Sequence, residues 1–289
     1  MNSVTPQEND VPITEEPTAE KPKELAGLPI GLKELLKTDK IVIQQMTGLA
    51  ASCLCCYEGE NLFEISDRLG HVILRATEDS NCCYRQCCER LRPFVMTIKD
   101  RQSNVVIKVN RPKRCDNCFC CPCLNQVWNF TPKKGLIYDF LILKVLEVEC
   151  PPGKVVGYVE QNLNCYRPTY DICGPDGDAQ YVIEGPSSCK TWCRSWTGKL
   201  CYLMARRKRC CCFGRDIVFN ISHAESGEKM GELSKLWAGP LEKQRGIADF
   251  DRFGIDFPDD AGVEIKVVMV ASCFLIDYLY FEGDNDDDD

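Results

Sequence analysis

The sequence predicts a mainly β fold, a sandwich or a barrel, that ends in a short apolar segment. About ten short strand-like runs follow one another at hairpin spacing, without the helix-length connections of an alternating α/β sheet. Turn-forming residues separate the runs, most clearly the Gly-Pro-Asp-Gly sequence at 174–177. A run of 15 mostly apolar residues, 267–281, follows the last of these strands.

The predicted elements follow from the spacing of apolar residues. Leu32, Leu35 and Leu36 share one side of a predicted helix at 31–37, and the strands come next. Neither a fixed-period repeat nor a glycine-rich phosphate loop occurs in the chain. The predicted strands are 41–45, 62–65, 72–76, 94–100, 105–110, part of 136–148, 155–161, 170–173, 181–184, 217–222 and 229–233.

The composition is that of one globular body with acidic ends. The chain has 289 residues, 44% hydrophobic and 27% charged, which is enough to bury a full core. Its net charge of −8 comes from the ends, because six acidic residues and two lysines lie in 1–29 and five aspartates in 284–289. We expect a disordered Pro- and Glu-rich tail at 1–28, one folded β domain at 29–283 and an acidic tail at 284–289.

Cysteine is the unusual residue, with 22 copies against two histidines. The N-terminal segment has neither the basic nor the apolar region of a secretory signal, so we expect reduced thiols rather than a disulfide framework. Two histidines are too few for serial His/Cys zinc fingers, and neither His71 nor His223 has a matched nucleophile. We therefore expect a protein that performs no covalent catalysis.

Three cysteine clusters, at 82–88, 115–123 and 189–212, admit more than one use. Thiols beside basic and aromatic residues suit S-acylation at an anionic membrane surface, where each cation contributes ~1 kcal/mol and one acyl chain alone binds marginally. The candidate lipidation sites are Cys118, Cys120, Cys121 and Cys123. The candidate membrane-surface cations are Arg111, Lys113, Arg114, Lys199, Arg206, Arg207, Lys208 and Arg209.

Metal binding is the main alternative for these cysteines. The pairs Cys115–Cys118 and Cys120–Cys123 have the two-residue gap that tetrahedral zinc favours, and thiolates also hold iron–sulfur clusters. Both pairs lie within nine residues, so a metal would need ligands from another cluster. Packing as small apolar side chains is the third possibility. Nucleic acid would explain the basic residues but not the cysteines, and the near-neutral body disfavours it.

The apolar segment at 267–281 is too short for a membrane span. Crossing a bilayer takes ~20 predominantly apolar residues, and a carboxylate such as Asp277 within the span costs ~3 kcal/mol. A short helix that is apolar on all sides is typical of one enclosed by protein. The sequence therefore favours a buried helix from Lys266 to Phe281 over a single-pass anchor.

The acidic segment before that helix, 249–260, has two interpretations. Its carboxylates fall at positions 1, 3 and 12 of an EF-hand-like loop, but phenylalanines replace the oxygen ligands at positions 5 and 9, which predicts weak calcium binding, ~10⁻⁴–10⁻³ M. Alternatively, the period-2 spacing of apolar residues at 253, 255 and 257 indicates a strand facing the core, and the sequence favours the strand. The candidate calcium positions are Asp249, Asp251, Phe253, Ile255, Phe257 and Asp260.

Several motifs together resemble the phospholipid scramblase family, in order along roughly residues 28–282. They are Cys82-Cys83-x-x-x-Cys87-Cys88 before Arg92-Pro93-Phe94, Arg111-Pro112-x-x-Cys115 before Cys120-Cys121-Pro122-Cys123, Pro151-Pro152-Gly153 with Gly157-Tyr158-Val159, Phe253-Gly254-Ile255-Asp256-Phe257-Pro258, and Cys273-Phe274-Leu275-Ile276-Asp277-Tyr278.

This resemblance implies a tubby-like fold, a closed antiparallel barrel of twelve strands around a central hydrophobic C-terminal helix. It implies calcium-dependent, ATP-independent movement of phospholipids in both directions across the plasma membrane, with loss of lipid asymmetry. The implied location is the cytoplasmic face, where acyl chains or a single span hold the protein. The family's acylated cluster corresponds to Cys118, Cys120, Cys121 and Cys123, its calcium loop to 249–260 and its helix to 266–281.

The chain departs from the family pattern at a few places. Phe119 interrupts the cysteine cluster, and Glu232 replaces a basic residue in a segment that aligns with a nuclear-import sequence, so nuclear import is not expected. The basic stretch at 194–209 looks like an insertion, and the N-terminal tail, where protein partners would bind, has no Pro-x-x-Pro element. An acylated lipid-binding adaptor that moves no lipid is the competing hypothesis, and a thiolate metalloprotein is the third.

Overall fold

The computed structural model describes residues 28–46, 61–81, 83–85, 92–112, 142–162, 167–186, 216–236 and 252–281. The expected tails at 1–28 and 284–289 lie almost wholly outside these residues. The elements, in chain order, are α1 (Ile30–Lys37), β1 (Lys40–Met46), β2 (Leu62–Asp67), β3 (Val72–Asp79), β4 (Phe94–Asp100), β5 (Val105–Arg111), β6 (Ile142–Glu149), β7 (Val155–Asn162), β8 (Thr169–Cys173), β9 (Ala179–Glu184), β10 (Ile217–His223), β11 (Lys229–Leu236), β12 (Arg252–Asp256) and α2 (Val263–Tyr280).

The twelve strands form one closed antiparallel barrel, which confirms the fold class. Each strand pairs with its neighbours in the chain, and β1 closes the ring by pairing with β2 on one side and β12 on the other. Ile43, for example, lies opposite Ile65 of β2 and Phe253 of β12. Closure leaves no sheet edge with unpaired backbone groups, so the ring does not expose a template for further strands.

The apolar residues that alternate with polar ones in the sequence face the inside of this barrel, and the residues between them face the outside. In β4, the side chains of Phe94, Met96 and Ile98 are buried, whereas the residues between them are partly exposed. Successive side chains of a strand point to opposite faces of the sheet, so one set of residues lines the interior. The apolar residues that alternate along the chain thus become one continuous core.

Helix α2 fills the interior of the barrel, which confirms the expectation of a buried terminal helix. From Val267 to Ile276 its residues are all buried, and the helix packs against β6, β7, β8 and α1. It begins at Val263, three residues before the expected start, because Gly262 serves as its N-cap. No helix among the described residues is long and apolar enough to cross a membrane.

Gly157 in β7 marks a close approach between strand and helix. A Cβ atom at this position would lie 2.3 Å from the carbonyl oxygen of Cys173 and 2.8 Å from Cγ2 of Val268. The first neighbour is backbone of β8 and the second belongs to α2, so neither can move away freely. Only glycine lets the barrel wall close on the helix here.

The two ends of the barrel differ. Because neighbouring strands are antiparallel, the connection between two consecutive strands starts and finishes at the same end of the barrel. The turn end, as we call it, carries the short connections 68–71, 101–104, 150–154, 174–178, 224–228 and 257–262. At the other end, which we call the connection end, the connections 47–61, 80–93, 112–141, 163–168, 185–216 and 237–251 begin and end, and the C-terminus of α2 lies there as well.

Helix α1 covers part of the turn end. Its residues Leu32 and Leu35 are buried in the common core, and it packs against β3, β4 and the start of α2. Glu34 on α1 forms an ion pair with Arg101 in the turn between β4 and β5, over 3.4 Å. The helix therefore joins the turn end to the core.

We expect Gly157→Ala to lower the free energy of unfolding by ~1–3 kcal/mol, the usual cost of overpacking, because the added methyl group meets a backbone carbonyl. Gly262→Ala is the matched control, since a Cβ there meets no atom within 4 Å and the change should cost less than about 1 kcal/mol. Urea unfolding followed by circular dichroism measures both. Equal losses in the two variants would contradict this account of the strand–helix contact.

Candidate functional site around the buried helix

Lys266 holds the N-terminal part of α2 against α1. The residue is 6% exposed, and its ammonium donates hydrogen bonds to the carbonyl oxygens of Leu36, over 3.1 Å, and Thr38, over 2.8 Å. These carbonyls lie at the C-terminus of α1, where the helix dipole favours a positive charge. The same ammonium lies 5.1 Å from the ring centroid of Phe257. The lysine that immediately precedes the apolar segment therefore has partners inside the protein.

A buried ion pair lies beside the other end of α2. Glu78 of β3 and Arg92, just before β4, are 0% and 1% exposed. Arg92 donates to both carboxylate oxygens of Glu78, from Nε over 2.7 Å and from Nη2 over 3.2 Å. The hydroxyl of Tyr278 on α2 donates to Oε2 of Glu78 over 2.8 Å, and the Arg92 guanidinium lies 4.3 Å from the centre of the tyrosine ring. The pair therefore fixes the helix end to the barrel wall.

The surrounding polar groups keep Glu78 ionised. Burial raises the pKa of this carboxyl, but hydrogen bonds and charge attraction from Arg92, with further bonds from Ser80 and Tyr278, outweigh burial and hold its pKa below the usual range. The Asn61 amide donates to the Tyr278 hydroxyl over 3.2 Å, and Gln45 donates to Asn61 over 2.9 Å. The result is a connected polar network at an otherwise apolar helix end.

Asp277 and Phe281, the other sequence-predicted residues of the helix, are also buried. Burial and the neighbouring Asp277 charge raise the pKa of the Cys273 thiol well above its usual range. The thiol is therefore neutral and a poor nucleophile. The ring of Phe281 lies under the ammonium of Lys235, 3.9 Å from its centroid. Lys266, Asp277 and Phe281 thus belong to the interface between helix and barrel.

The described residues of 249–260 do not provide a set of calcium ligands. Phe253 and Ile255 lie on β12 with buried side chains, as the alternation of apolar residues indicated, and Phe257 is buried just beyond it. The carboxylate of Asp260 accepts a hydrogen bond from the Tyr181 hydroxyl over 2.8 Å. Burial and this carboxylate raise the pKa of Tyr181 far above its usual range. Asp249 and Asp251 lie outside the described residues, so the calcium site stays a prediction.

Of the basic residues predicted to lie at the membrane surface, the structure describes only Arg111. For this residue the prediction is wrong. Arg111, at the end of β5, is 4% exposed, and its guanidinium lies 5.8 Å from the ring centroid of Phe94. Arg111 belongs to the set of alternating β5 residues whose side chains point into the barrel. Its charge is therefore not at the surface. The other candidates lie outside the described residues: Lys113, Arg114, Lys199, Arg206, Arg207, Lys208 and Arg209.

The candidate lipidation sites Cys118, Cys120, Cys121 and Cys123 also lie outside the described residues, so acylation stays a prediction. Within the described ranges, no three His, Cys, Asp or Glu side chains lie close enough together to hold a metal ion. Of the four described cysteines, Cys150, Cys173 and Cys273 are buried and Cys83 is exposed. Burial and the negative charge of Glu264 raise the pKa of Cys150 to about 11, so this thiol is neutral as well.

Sequence reasoning missed the Glu78–Arg92 pair, although the strand pattern contains a trace of it. Glu78 follows Leu74 and Ala76 at period 2, so it stands on the face that lines the interior. A carboxylate at such a position must have a buried partner, because an unpaired buried charge is costly. The pattern could have indicated that a partner exists, but not that it is Arg92.

The architecture defines a class of protein, a closed antiparallel β-barrel with a helix in its interior, and the comparisons define the family. A family model described as "Scramblase" matches residues 19–203 and 202–283. This chain is 34% identical to human "Phospholipid scramblase 2" over 88% of its own length and 71% of the relative's. It is 33% identical to human "Phospholipid scramblase 1" (91% and 69%) and to human "Phospholipid scramblase family member 5" (89% and 79%). No solved structure matches the chain. The chain belongs to the phospholipid scramblase family.

We expect the Glu78–Arg92 pair to make stability depend on pH. Because the pKa of Glu78 is lower in the folded than in the unfolded chain, its contribution is complete above the ordinary value of 4.5 and is lost as the pH falls through the lowered pKa. Glu78→Gln should cost ~3–5 kcal/mol at pH 7, since it leaves Arg92 buried without its counter-charge. The difference from the unsubstituted protein should shrink below pH 4.5.

Glu64→Gln is the control for this prediction. Glu64 pairs with Arg75 on the outer surface of the β2–β3 hairpin, over 3.0 Å, and such a surface pair contributes ~0–1 kcal/mol. Urea unfolding between pH 3 and pH 7 measures all three proteins. A difference between the unsubstituted protein and Glu78→Gln that stays constant with pH would show that Glu78 is not the titrating group.

We expect Lys266→Met to lower the free energy of unfolding by ~1–3 kcal/mol, because two part-buried carbonyls at the C-terminal end of α1 lose their donor. Lys37→Met is the control, since Lys37 is exposed at the end of the same helix and the change should stay within ~0.5 kcal/mol. Thermal and urea unfolding compare the two. Indistinguishable losses would mean that Lys266 does not anchor α1.

Proposed function

We propose that this protein moves phospholipids in both directions between the two leaflets of the plasma membrane, in response to calcium and without ATP or covalent chemistry. The observation that carries the proposal is the match to proteins named phospholipid scramblases along about nine-tenths of the chain. The chain also contains no glycine-rich phosphate loop of the kind that ATP-driven transport uses. Membrane phospholipids are accordingly its proposed substrates.

The filled barrel limits how lipid can move. A charged headgroup must cross ~30 Å of hydrocarbon, which requires a polar route or a thinned bilayer. The interior of the barrel is occupied by α2, whose central residues are buried on all sides. We therefore place the route outside the barrel, at the boundary between the protein and the bilayer. The barrel acts on the membrane from its surface rather than as a pore.

Attachment to the cytoplasmic face of the membrane is part of the proposal. Acyl chains on Cys118, Cys120, Cys121 and Cys123, together with neighbouring basic residues, would supply the affinity. One acyl chain gives only marginal binding, so several adjacent sites are needed for stable attachment. The buried position of α2 supports this proposal, because a helix enclosed by strands does not itself contact lipid.

The purified protein, reconstituted into liposomes with fluorescent phospholipid in both leaflets, tests the function directly. A membrane-impermeant reductant bleaches the outer leaflet, so movement of lipid appears as bleaching beyond one half of the fluorescence. We expect this extra loss with calcium and not with a chelator. Unchanged fluorescence in well-incorporated samples would overturn the proposal and favour the lipid-binding adaptor.

The calcium part has its own variants. We expect Asp249→Asn with Asp251→Asn to weaken the calcium response, because these two carboxylates are candidate ligands, whereas the candidates Phe253, Ile255 and Phe257 have buried side chains without oxygen. Asp176→Asn with Asp178→Asn is the matched control, since these two exposed carboxylates have the same spacing at another connection. A full calcium response in the first variant would place calcium elsewhere.

The acyl anchor is tested by cell fractionation. We expect replacement of Cys118, Cys120, Cys121 and Cys123 by Ala to move the protein from the membrane to the soluble fraction. Unchanged fractionation would count against the anchor. Stoichiometric zinc or iron in the purified protein would instead support the thiolate metal site.

A further inference from the structure

We propose that the protein docks on an anionic lipid surface through one side of the turn end of its barrel, formed by α1 and the hairpins β2–β3 and β4–β5. The docking face, as we call it, is defined by Ile30, Arg68, Leu69, Lys99 and Val105. This inference rests on the proposed function, because it takes the protein to act at a membrane, and it specifies which surface meets the lipid. The structure describes every residue of the face.

Exposed apolar side chains are concentrated at the docking face. Four large apolar residues of the described part of the chain are exposed: Leu69 (80%), Ile30 (45%), Val105 (42%) and Val218 (37%). The first three belong to the docking face, whereas Val218 lies on β10. Single exposed apolar residues are ordinary on a protein surface, but several in adjacent elements indicate a contact surface.

Contacts between the two hairpins and α1 hold these side chains at one place. Arg101, in the turn between β4 and β5, donates from Nε to the carbonyl oxygen of Val72 at the start of β3, over 2.6 Å. The start of α1 packs on both hairpins, because a Cβ atom at Gly31 would lie 2.6 Å from Cδ2 of Leu74 and 3.2 Å from Cβ of Asp100. The tip of the first hairpin, the start of β5 and the start of α1 therefore belong to one surface.

Positive charge accompanies the apolar side chains. On the outer face of the sheet, Arg75 of β3 lies directly opposite Lys99 of β4, which lies opposite Val105 of β5. Like charges directly opposite each other destabilise a sheet, so the fold itself does not account for this pair. Arg75 has Glu64 as a partner, but Lys99 and Arg68, both exposed, form no ion pair with any residue that the structure describes. An anionic surface would balance their charge.

The carboxylates near these cations are already occupied. Those of Glu34 and Glu64 form ion pairs with arginines, over 3.4 Å and 3.0 Å. Those of Asp67 and Asp100 each accept two backbone hydrogen bonds within their own turns. The free charge of α1 and the two hairpins near the turn end is therefore positive.

The opposite side of the ring has the opposite charge. In the order of the closed barrel, β9, β10 and β11 stand across from β3, β4 and β5. The turns on that side carry the exposed carboxylates of Asp176, Asp178, Glu225 and Glu228. Twelve strands ~4.8 Å apart make a ring on the order of 20 Å wide, and the Debye length at physiological ionic strength is ~8 Å. The two sides therefore act on a membrane separately, and only the docking face is attracted to it.

An anionic bilayer matches both properties of the docking face. Apolar side chains enter the boundary between headgroups and acyl chains, while neighbouring cations bind the lipid phosphates. A soluble anion would account for the exposed cations but not for Leu69, which projects from the hairpin tip. The lipid surface accounts for both, so it is the occupant that we assign to the face.

The apolar contact is tested by sedimentation of the full-length, unacylated protein with vesicles of ~30% phosphatidylserine in phosphatidylcholine at ~0.15 M salt. We expect Leu69→Glu to weaken partitioning about tenfold or more, because an apolar contact is lost and a repelled charge is added. Val218→Glu is the matched control and should stay within twofold, since it adds the same charge at an exposed apolar position across the ring. Equal losses in the two variants would overturn the docking face.

The charge contact is tested with a second pair of variants. Arg68→Gln with Lys99→Gln should weaken partitioning about tenfold or more, since each cation near an anionic surface contributes about fivefold. Arg167→Gln with Lys229→Gln removes two exposed cations across the ring and should change partitioning less than twofold. Salt of ~0.5 M should remove the effect of the first pair. A loss that persists in salt, or that the control pair shares, would contradict the charge contact.

The outcomes separate this inference from the proposed function. If the docking face is wrong, the protein binds anionic vesicles but variants on both sides of the ring act alike. If membrane attachment itself is wrong, the protein binds no vesicles and the docking face falls with it. If lipid movement alone is wrong, the predicted binding pattern appears but the reconstituted liposomes show no bleaching beyond one half.

Two further measurements complete the test. Thermal unfolding midpoints establish that each variant is folded. Size-exclusion chromatography without lipid checks for a different occupant: a dimer of the unsubstituted protein that Leu69→Glu converts to a monomer would assign the face to a second copy of the chain and overturn the inference.

Discussion

The enclosure of α2 by the barrel is the constraint on which the rest of the structure depends. An 18-residue helix that is apolar on nearly every side is unstable in water and must be covered by other apolar surface. Twelve strands, closed without an edge, supply that cover and satisfy their own backbone hydrogen bonds at the same time. The alternation of apolar residues along strands such as β4, the glycine at 157 and the register of the closing strand all serve this enclosure.

The hydrogen-bond partners of Lys266 and Tyr278 lie near the two ends of the helix. Lys266 binds the last carbonyls of α1, and Tyr278 binds Glu78, whose charge Arg92 neutralises. Between them the helix presents almost only apolar side chains to the strands. Fixed polar contacts at both ends determine how far the helix is inserted, since apolar packing alone is not directional. The helix is therefore positioned by hydrogen bonds and stabilised by apolar burial.

A filled interior and two unlike ends direct attention to the outer surface of the molecule. Because the helix occupies the interior, a lipid headgroup has no route through the barrel. The long connections all begin and end at one end of the barrel, while the short turns of the other end carry exposed carboxylates. A filled barrel leaves only its outer surface to act on the adjacent leaflet. This links the fold to the lipid movement proposed for it.

The sequence by itself determined the strand pattern, the family and the character of the last helix. Period-2 alternation predicted most of the strands, and the run at 267–281 was short enough and apolar enough to indicate a helix buried in protein. These properties are local, because they depend on residues a few positions apart. The phenylalanines and isoleucine at 253–257 likewise indicated a strand facing the core, and β12 confirms it.

Only the tertiary structure decided which buried charges meet. Tyr278 and Glu78 are 200 positions apart, and Lys266 and Thr38 are 228 apart, so no local pattern could pair them. Arg111 was expected at the surface because it precedes a basic, cysteine-rich segment, but the pleat of β5 turns it inward. The sorting of connections into two ends likewise exists only once the strands are antiparallel and the ring is closed. The physical reason is common to all three: the direction of a side chain or a connection is set by the strands around it, and these come from distant parts of the chain.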